Sequence, residues 1–175
     1  MANVNNPSGF LPYINPLSAC GGQAKIVYLP LAAANSAIGV GTPVTLASGA
    51  AVDIAGTSDA LCGIAAEYKA ANSGGTIAVW ADPQQWFVAQ TDDGTGDLTA
   101  AANLGKNCTF VGTGVSNRRS TAEIDENSGS DTATLLFKTI RLSDEANNAH
   151  GEFNRLVVKI NNHQFGSHTG TAGQA

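Results

Sequence analysis

Residues 60–92 read ALCGIAAEYKAANSGGTIAVWADPQQWFVAQTD, and the parsing of this stretch decides the fold. The runs at 61–68 and 76–82 are short and apolar. Between them lies Ser73-Gly74-Gly75, a turn signal. Together they predict a β-hairpin. Gly63 in the middle of the first run marks a bulge or a sharp bend. Asp82-Pro83 closes the second run, because proline has no N–H to give to a ladder, and Trp86–Asp92 opens a further strand. No helical period intervenes, so this is not a βαβ unit.

The same grammar extends in both directions. Lys25–Pro30 (KIVYLP) alternates, and Gly39-Val-Gly41 turns the chain into a strand that starts at Pro43. Asn107–Gly112, Thr132–Leu142 and Phe153–Asn162 are further strand candidates. In the last of these Leu156, Val158 and Ile160 face one way and Arg155, Val157 and Lys159 the other. Leu98–Asn107 (LTAAANLGKN) is the one helical signal. Thr99 is placed to cap a turn or two that end at Gly105. Residues 113–131 are polar and predict a long exposed loop around a short strand near Ala122–Ile124. About nine strands without a βαβ rhythm predict a mainly β protein, an antiparallel β-barrel or sandwich with one short helix.

Three segments follow from this reading: an extended N-terminal arm over 1–24, a β domain over 25–160 and a C-terminal tail over 161–175. The arm carries Pro7, Pro12 and Pro16, which oppose helix, and single apolar pegs at Phe10, Leu11, Tyr13, Ile14 and Leu17. It is expected to lie across its own sheets or across a neighbour. Removing the first twenty residues is expected to leave the β domain folded. The tail begins where the last strand turns polar, at Asn161-Asn162-His163-Gln164-Phe165, and continues glycine-rich. Such a tail has little bulk to bury, so a partner is expected to supply its contacts.

Composition narrows the function. Only 13% of residues are charged and the net charge is −5, with nine Lys plus Arg against fourteen Asp plus Glu. The one dense basic spot is Arg118-Arg119, too little to neutralise a nucleic-acid backbone, so no nucleic acid is expected. A surface of small uncharged residues suits a protein docked on others, and it is equally what a compositional habit of one genome would produce. The opening MANVNNPSGFLPYINPLS has neither a basic n-region nor an apolar run, and no stretch approaches the roughly 20 apolar residues of a membrane span. A soluble protein made in a cytosol, with no membrane partner, is the expectation. Cys20, Cys62 and Cys108 are odd in number and lack CxxC spacing, so reduced thiols are expected.

No constellation of residues assembles a reaction centre on paper. The glycine pairs lack a GK[ST] ending and a strand-to-helix setting, and there is no G-x-S-x-G elbow. Cys108 with His163 and Asp125 is the only nucleophilic set to be drawn, and nothing in the sequence brings the three together. Asp92, Asp93 and Asp97 offer carboxylates to calcium but lack an EF-hand glutamate, and His163 and His168 lack the spacing for one metal. No catalytic residue, cofactor or metal is expected. Trp80, Trp86 and Phe87 around Asp82-Pro83 are a candidate platform for saccharide or peptide.

Several blocks, taken in order, carry a resemblance. They are Met1-Ala2-Asn3 with Pro7-Ser8-Gly9-Phe10, then Gly41-Thr42-Pro43-Val44, the strand end Val79–Pro83, Leu98–Asn107, Val158–Gln164 and Gly170–Gly173. In this order they resemble the capsid decoration, or cement, proteins of tailed bacteriophages. His168 stands where that pattern has glycine, and residues 113–131 have no counterpart. The resemblance implies a non-enzymatic virion protein, made in the bacterial cytoplasm, that binds the outer capsid surface and bridges major capsid protein subunits. It also implies a homo-oligomer, a trimer ahead of a dimer. The partner-facing candidates are then Phe10, Leu11, Tyr13, Ile14, Leu17, Asn161, Asn162, His163, Gln164 and Phe165. A virion surface adhesion module that binds a receptor or saccharide is the alternative.

Overall fold

The computed structural model describes residues 3–13, 24–47, 52–93, 98, 100–166 and 170–173. Its strands are β1 (Leu11–Tyr13), β2 (Ile26–Pro30), β3 (Pro43–Leu46), β4 (Val52–Ile54), β5 (Gly63–Ala65), β6 (Thr76–Trp80), β7 (Trp86–Gln90), β8 (Asn107–Val111), β9 (Val115–Ser116), β10 (Arg119–Ser120), β11 (Glu123–Ser130), β12 (Phe137–Leu142) and β13 (Arg155–Ile160). A larger sheet runs β1-β7-β13-β12-β8-β11, a smaller one β2-β6-β5-β3-β4, and β9 and β10 form a separate ribbon. Every pairing between named strands is antiparallel. The expected antiparallel β architecture is present in its sandwich form, and neither sheet closes into a barrel. Single parallel bridges, Thr91 with Ile124 and Leu31 with Val52, draw the ends of each sheet toward each other at one rung only.

The predicted hairpin is β5–β6, with Ile64 opposite Trp80 and Ala65 opposite Val79. Asp82-Pro83 is where the chain leaves the smaller sheet and enters the larger one at Trp86. The bend at Gly63 has a steric cause. A Cβ there would overlap the Trp80 carbonyl oxygen, so only glycine lets β5 approach β6 this closely.

Two cores result. One lines the larger sheet with Phe87, Phe110, Ile124, Phe137, Leu156 and Val158, and takes Leu61 and Ile64 from the smaller sheet. The other fills the smaller sheet with Ile38, Val44, Val52, Ala65, Ile77 and Val79. Strand β5 is buried on both faces, because Ile64 belongs to the first core and Ala65 to the second.

Three expectations need correction. First, residues 113–131 are not a long loop but the β9–β10 ribbon followed by the eight-residue β11. Charged and small residues hid β11, yet its alternate positions Ile124 and Glu126 are buried. A register shift between Asp125 and Ser130 breaks the period further. Second, the short helix is a single 3-10 turn at Ala101–Asn103, with Ala100 before it and no side-chain cap; Thr99 lies outside the described residues. Third, the arm is not detachable. Of its described residues, Leu11–Tyr13 form β1 on the edge of β7, and the Phe10 N–H donates to the Gly41 carbonyl at 2.9 Å. Phe10 itself is fully buried, stacked on Phe137 at 4.3 Å and edge-on to Phe110 at 6.4 Å. Removing it opens the main core, so the β domain is not expected to survive that deletion intact.

Candidate functional site

The partner-facing candidates separate into buried and exposed groups. Phe10 is sealed in the core, and Leu11 and Tyr13 are half-buried on β1. Ile14 and Leu17 lie outside the described residues. The Tyr13 hydroxyl donates to Asp144 at 3.1 Å and accepts from Arg141 at 2.5 Å, and the Arg141 guanidinium lies 5.3 Å from the Tyr13 ring centre. Arg141 holds the Asp144 carboxyl below its ordinary value, with the Tyr13 hydroxyl adding to the effect. The latch is surface-exposed and adds little stability, but it ties the end of β1 to Arg141 on β12.

Asn161, Asn162 and His163 are buried, which overturns the expectation that the tail depends on a partner for order at this point. Asn161 donates through Nδ2 to the Ala133 and Leu135 carbonyls at 2.9 and 3.0 Å. Its Oδ1 accepts from the Thr171 N–H at 2.9 Å and the Thr171 hydroxyl at 3.1 Å. Beyond it the chain crosses to the smaller sheet. The Leu61 N–H donates to the Asn162 carbonyl at 2.9 Å, and the Gln164 N–H to the Leu61 carbonyl at 2.8 Å. The Gln164 side chain accepts from the Leu46 N–H at 2.8 Å and donates to the Leu46 carbonyl at 3.2 Å, as a neighbouring strand would. These residues strap the two sheets together. An asparagine carries two donors and a two-lone-pair acceptor, so a polar segment can order itself by hydrogen bonds where bulk is lacking. Phe165 is the one described candidate with a large exposed apolar surface, at 48%.

The nucleophilic set does not form a reaction centre. Cys108 is buried in the main core, where desolvation first and Asp125 second raise its thiol far above the ordinary value. Burial likewise pushes Cys62 up to about 12. His163 Nδ1 accepts the Phe165 N–H at 3.0 Å, which in the neutral ring places the proton on Nε2. A buried thiol held protonated is no nucleophile. In the folded protein Cys62 and Cys108 are expected to be unreactive toward Ellman's reagent at pH 8. Both are expected to become titratable only in denaturant; prompt reaction of either in the native state would contradict their burial.

The aromatic platform is also not assembled, since Phe87 is fully buried and Trp80 packs against the main core. Of the acidic triplet in the sequence, Asp97 lies outside the described residues, and Glu126 joins Asp92 and Asp93 instead, with carboxylate oxygens all within 4.8 Å. Asp92 Oδ1 accepts the Glu126 N–H at 3.2 Å. Burial first, and the Asp92 charge after it, raise the neighbouring Asp125 and Glu123 carboxyls above their ordinary values, while Gln90 partly opposes this at Glu123. Taken alone, such groups make the fold less stable as pH rises through their raised pKa values.

The feature the sequence did not reveal is that β2 is an exposed edge strand. Ile26, Val27 and Tyr28 are 50, 44 and 70% exposed on the outer strand of the smaller sheet. Their alternation reads as an ordinary half-buried strand, and only the sheet order shows that β2 is an edge. No helix among the described residues is long and apolar enough to cross a membrane. Comparison of the chain with family models, with curated proteins and with solved structures gave no match.

Proposed function

We propose that this chain is a virion structural protein that decorates and stabilises the outer surface of a tailed-phage capsid by bridging major capsid protein subunits. The observation that carries the reading is the ordered set of sequence blocks, together with where the fold puts them. Blocks far apart in the chain touch one another. Phe10 of the first binds Gly41 of the second through the 2.9 Å backbone hydrogen bond. Asn107, which ends the fourth, donates to the Thr171 carbonyl of the last at 2.7 Å, and Thr171 is held by Asn161 of the fifth. Blocks that meet at the locking points of one fold support reading them as a single set.

The physical role suits such a fold. A shell under internal pressure is reinforced by many copies, each adding modest contact area, and the summed effect needs no chemistry. The arm and strap stiffen each copy from within, and exposed apolar groups such as Phe165 are left for the shell. The test is co-sedimentation of the purified chain with expanded, DNA-free heads of the cognate phage. The wild type is expected to saturate the heads. Phe165→Ala is expected to reduce occupancy several-fold while changing stability by no more than about 0.5 kcal/mol, as surface substitutions do. Failure of the wild type to bind heads, or its absence from purified virions, would refute the proposal.

A further inference from the structure

The geometry points to the open edge of β2 as a two-fold contact between copies of this chain. In an antiparallel ladder each residue directs its N–H and C=O to the same side. The Ala78 N–H donates to Glu67 at 2.8 Å and its carbonyl accepts from Ala66 at 2.8 Å, so Ala78 faces away from β2. Its partner in register, Tyr28, therefore turns its backbone groups to the outer edge, and by alternation so do Ile26 and Pro30. Ala32, next in that series, confirms the direction, since its N–H reaches the Val52 carbonyl at 3.2 Å. The parallel Leu31–Val52 bridge takes up the Pro30 carbonyl as well, and upstream of Pro30 no backbone group of a described residue is paired with this outer edge.

Edge strands of natural proteins are usually blunted by charges or covered, whereas this one presents consecutive exposed apolar residues. The strand is complementary to itself. An antiparallel pair centred on Val27 sets Ile26 against Tyr28 of the second copy, and every outward N–H and C=O of both residues is then matched. The ladder stops at Pro30, which has no N–H to give and whose carbonyl the Leu31–Val52 bridge already engages. Ile26 and Tyr28 share one face, and aromatic with β-branched is a favourable cross-strand pair. Charge permits the pairing as well. Ile26–Pro30 carries none, and the Lys25 ammonium lies 4.0 Å from Asp82 of its own sheet. An isologous contact of this kind uses up the edge and closes at two, so it yields a dimer rather than the trimer that the resemblance implies.

A ladder this short is a small interface, so assembly depends on concentration. Sedimentation equilibrium of the full chain from about 1 µM to about 1 mM is the test, and it is independent of capsid binding. The wild type is expected to reach the dimer mass at the upper end. Val27→Lys and Val27→Asp, which each set like charges face to face across the two-fold axis, are expected to remain monomeric with wild-type circular dichroism. Their equimolar mixture is expected to recover the dimer mass. A wild type that stays monomeric throughout, a dimer that persists in both charged variants, or a mixture that stays monomeric overturns the inference. If either variant fails to fold, hydrogen exchange of the wild type decides. The Ile26 and Tyr28 amides are expected to be protected only at high concentration, and equal protection at both ends of the range overturns it.

Discussion

Phe10→Ala is expected to destabilise the protein by about 3–5 kcal/mol, the range for emptying a buried aromatic site. For a chain of this length that lowers Tm by roughly 6–20 °C. Phe10 is fully buried, and its ring is sandwiched among Phe110 and Phe137 from two strands of the larger sheet. Its backbone is pinned to Gly41, so the arm cannot follow a smaller side chain inward without breaking that bond. Denaturant unfolding of the two proteins measures the difference. A loss below about 1 kcal/mol would mean that the arm is not part of the folded core. The result also governs any binding experiment on the arm. Truncations that remove Phe10 report on folding before they report on a capsid, which is why Phe165 is the better probe.

Asn161→Asp is expected to cost about 3–5 kcal/mol at pH 7, the range for stranding a buried charge. The amide nitrogen at this site donates to the Ala133 and Leu135 carbonyls, and a carboxylate would set an anionic oxygen against both. The introduced group has a sign that can be tested. Its charged form is disfavoured by burial and by the facing carbonyls, so its folded pKa lies above the unfolded value of about 3.9. The folded state then holds the proton more tightly, and stability lost at neutral pH returns as pH falls through that raised pKa. The gap to the wild type in denaturant unfolding is expected to narrow between pH 7 and pH 5. Asn161→Ala, which merely strips the partners from buried carbonyls, is expected to lose about 1–3 kcal/mol with no such pH dependence. An Asn161→Asp deficit equal at the two pH values would show that the strap moves away and rehydrates the site.

Much of the strand content was readable because it depends on local chemistry. Pro43 at a strand start, Ser73-Gly74-Gly75 between two apolar runs and Asp82-Pro83 after Trp80 each restrict the backbone within a few residues. β11 is not legible in the sequence, because its buried positions after Ile124 are Glu126 and, out of step with them, Gly129. β1 and β4 are three residues each, too short for any period to show. The order of the strap at Asn161–Gln164 is not legible in the sequence for a related reason. Its order comes from hydrogen bonds to Ala133, Leu135, Leu46 and Leu61, and none of those partners can be inferred from the polarity of the segment itself.

The sequence by itself determined an antiparallel β protein with Gly63 at a bend, a low content of charged residues, and an ordered set of blocks resembling phage decoration proteins. These depend on steric limits, on residue chemistry and on composition, all of which act without knowledge of distant neighbours. The tertiary structure alone decided that the arm fills its own core, that the tail straps two sheets, and that β2 is an outer strand whose edge ahead of Pro30 is unpaired among the described residues. Strand order, edge and interior are properties of contacts between segments remote in the chain, and an apolar alternation such as Ile26–Leu29 is compatible with either place until the neighbours on both sides are known.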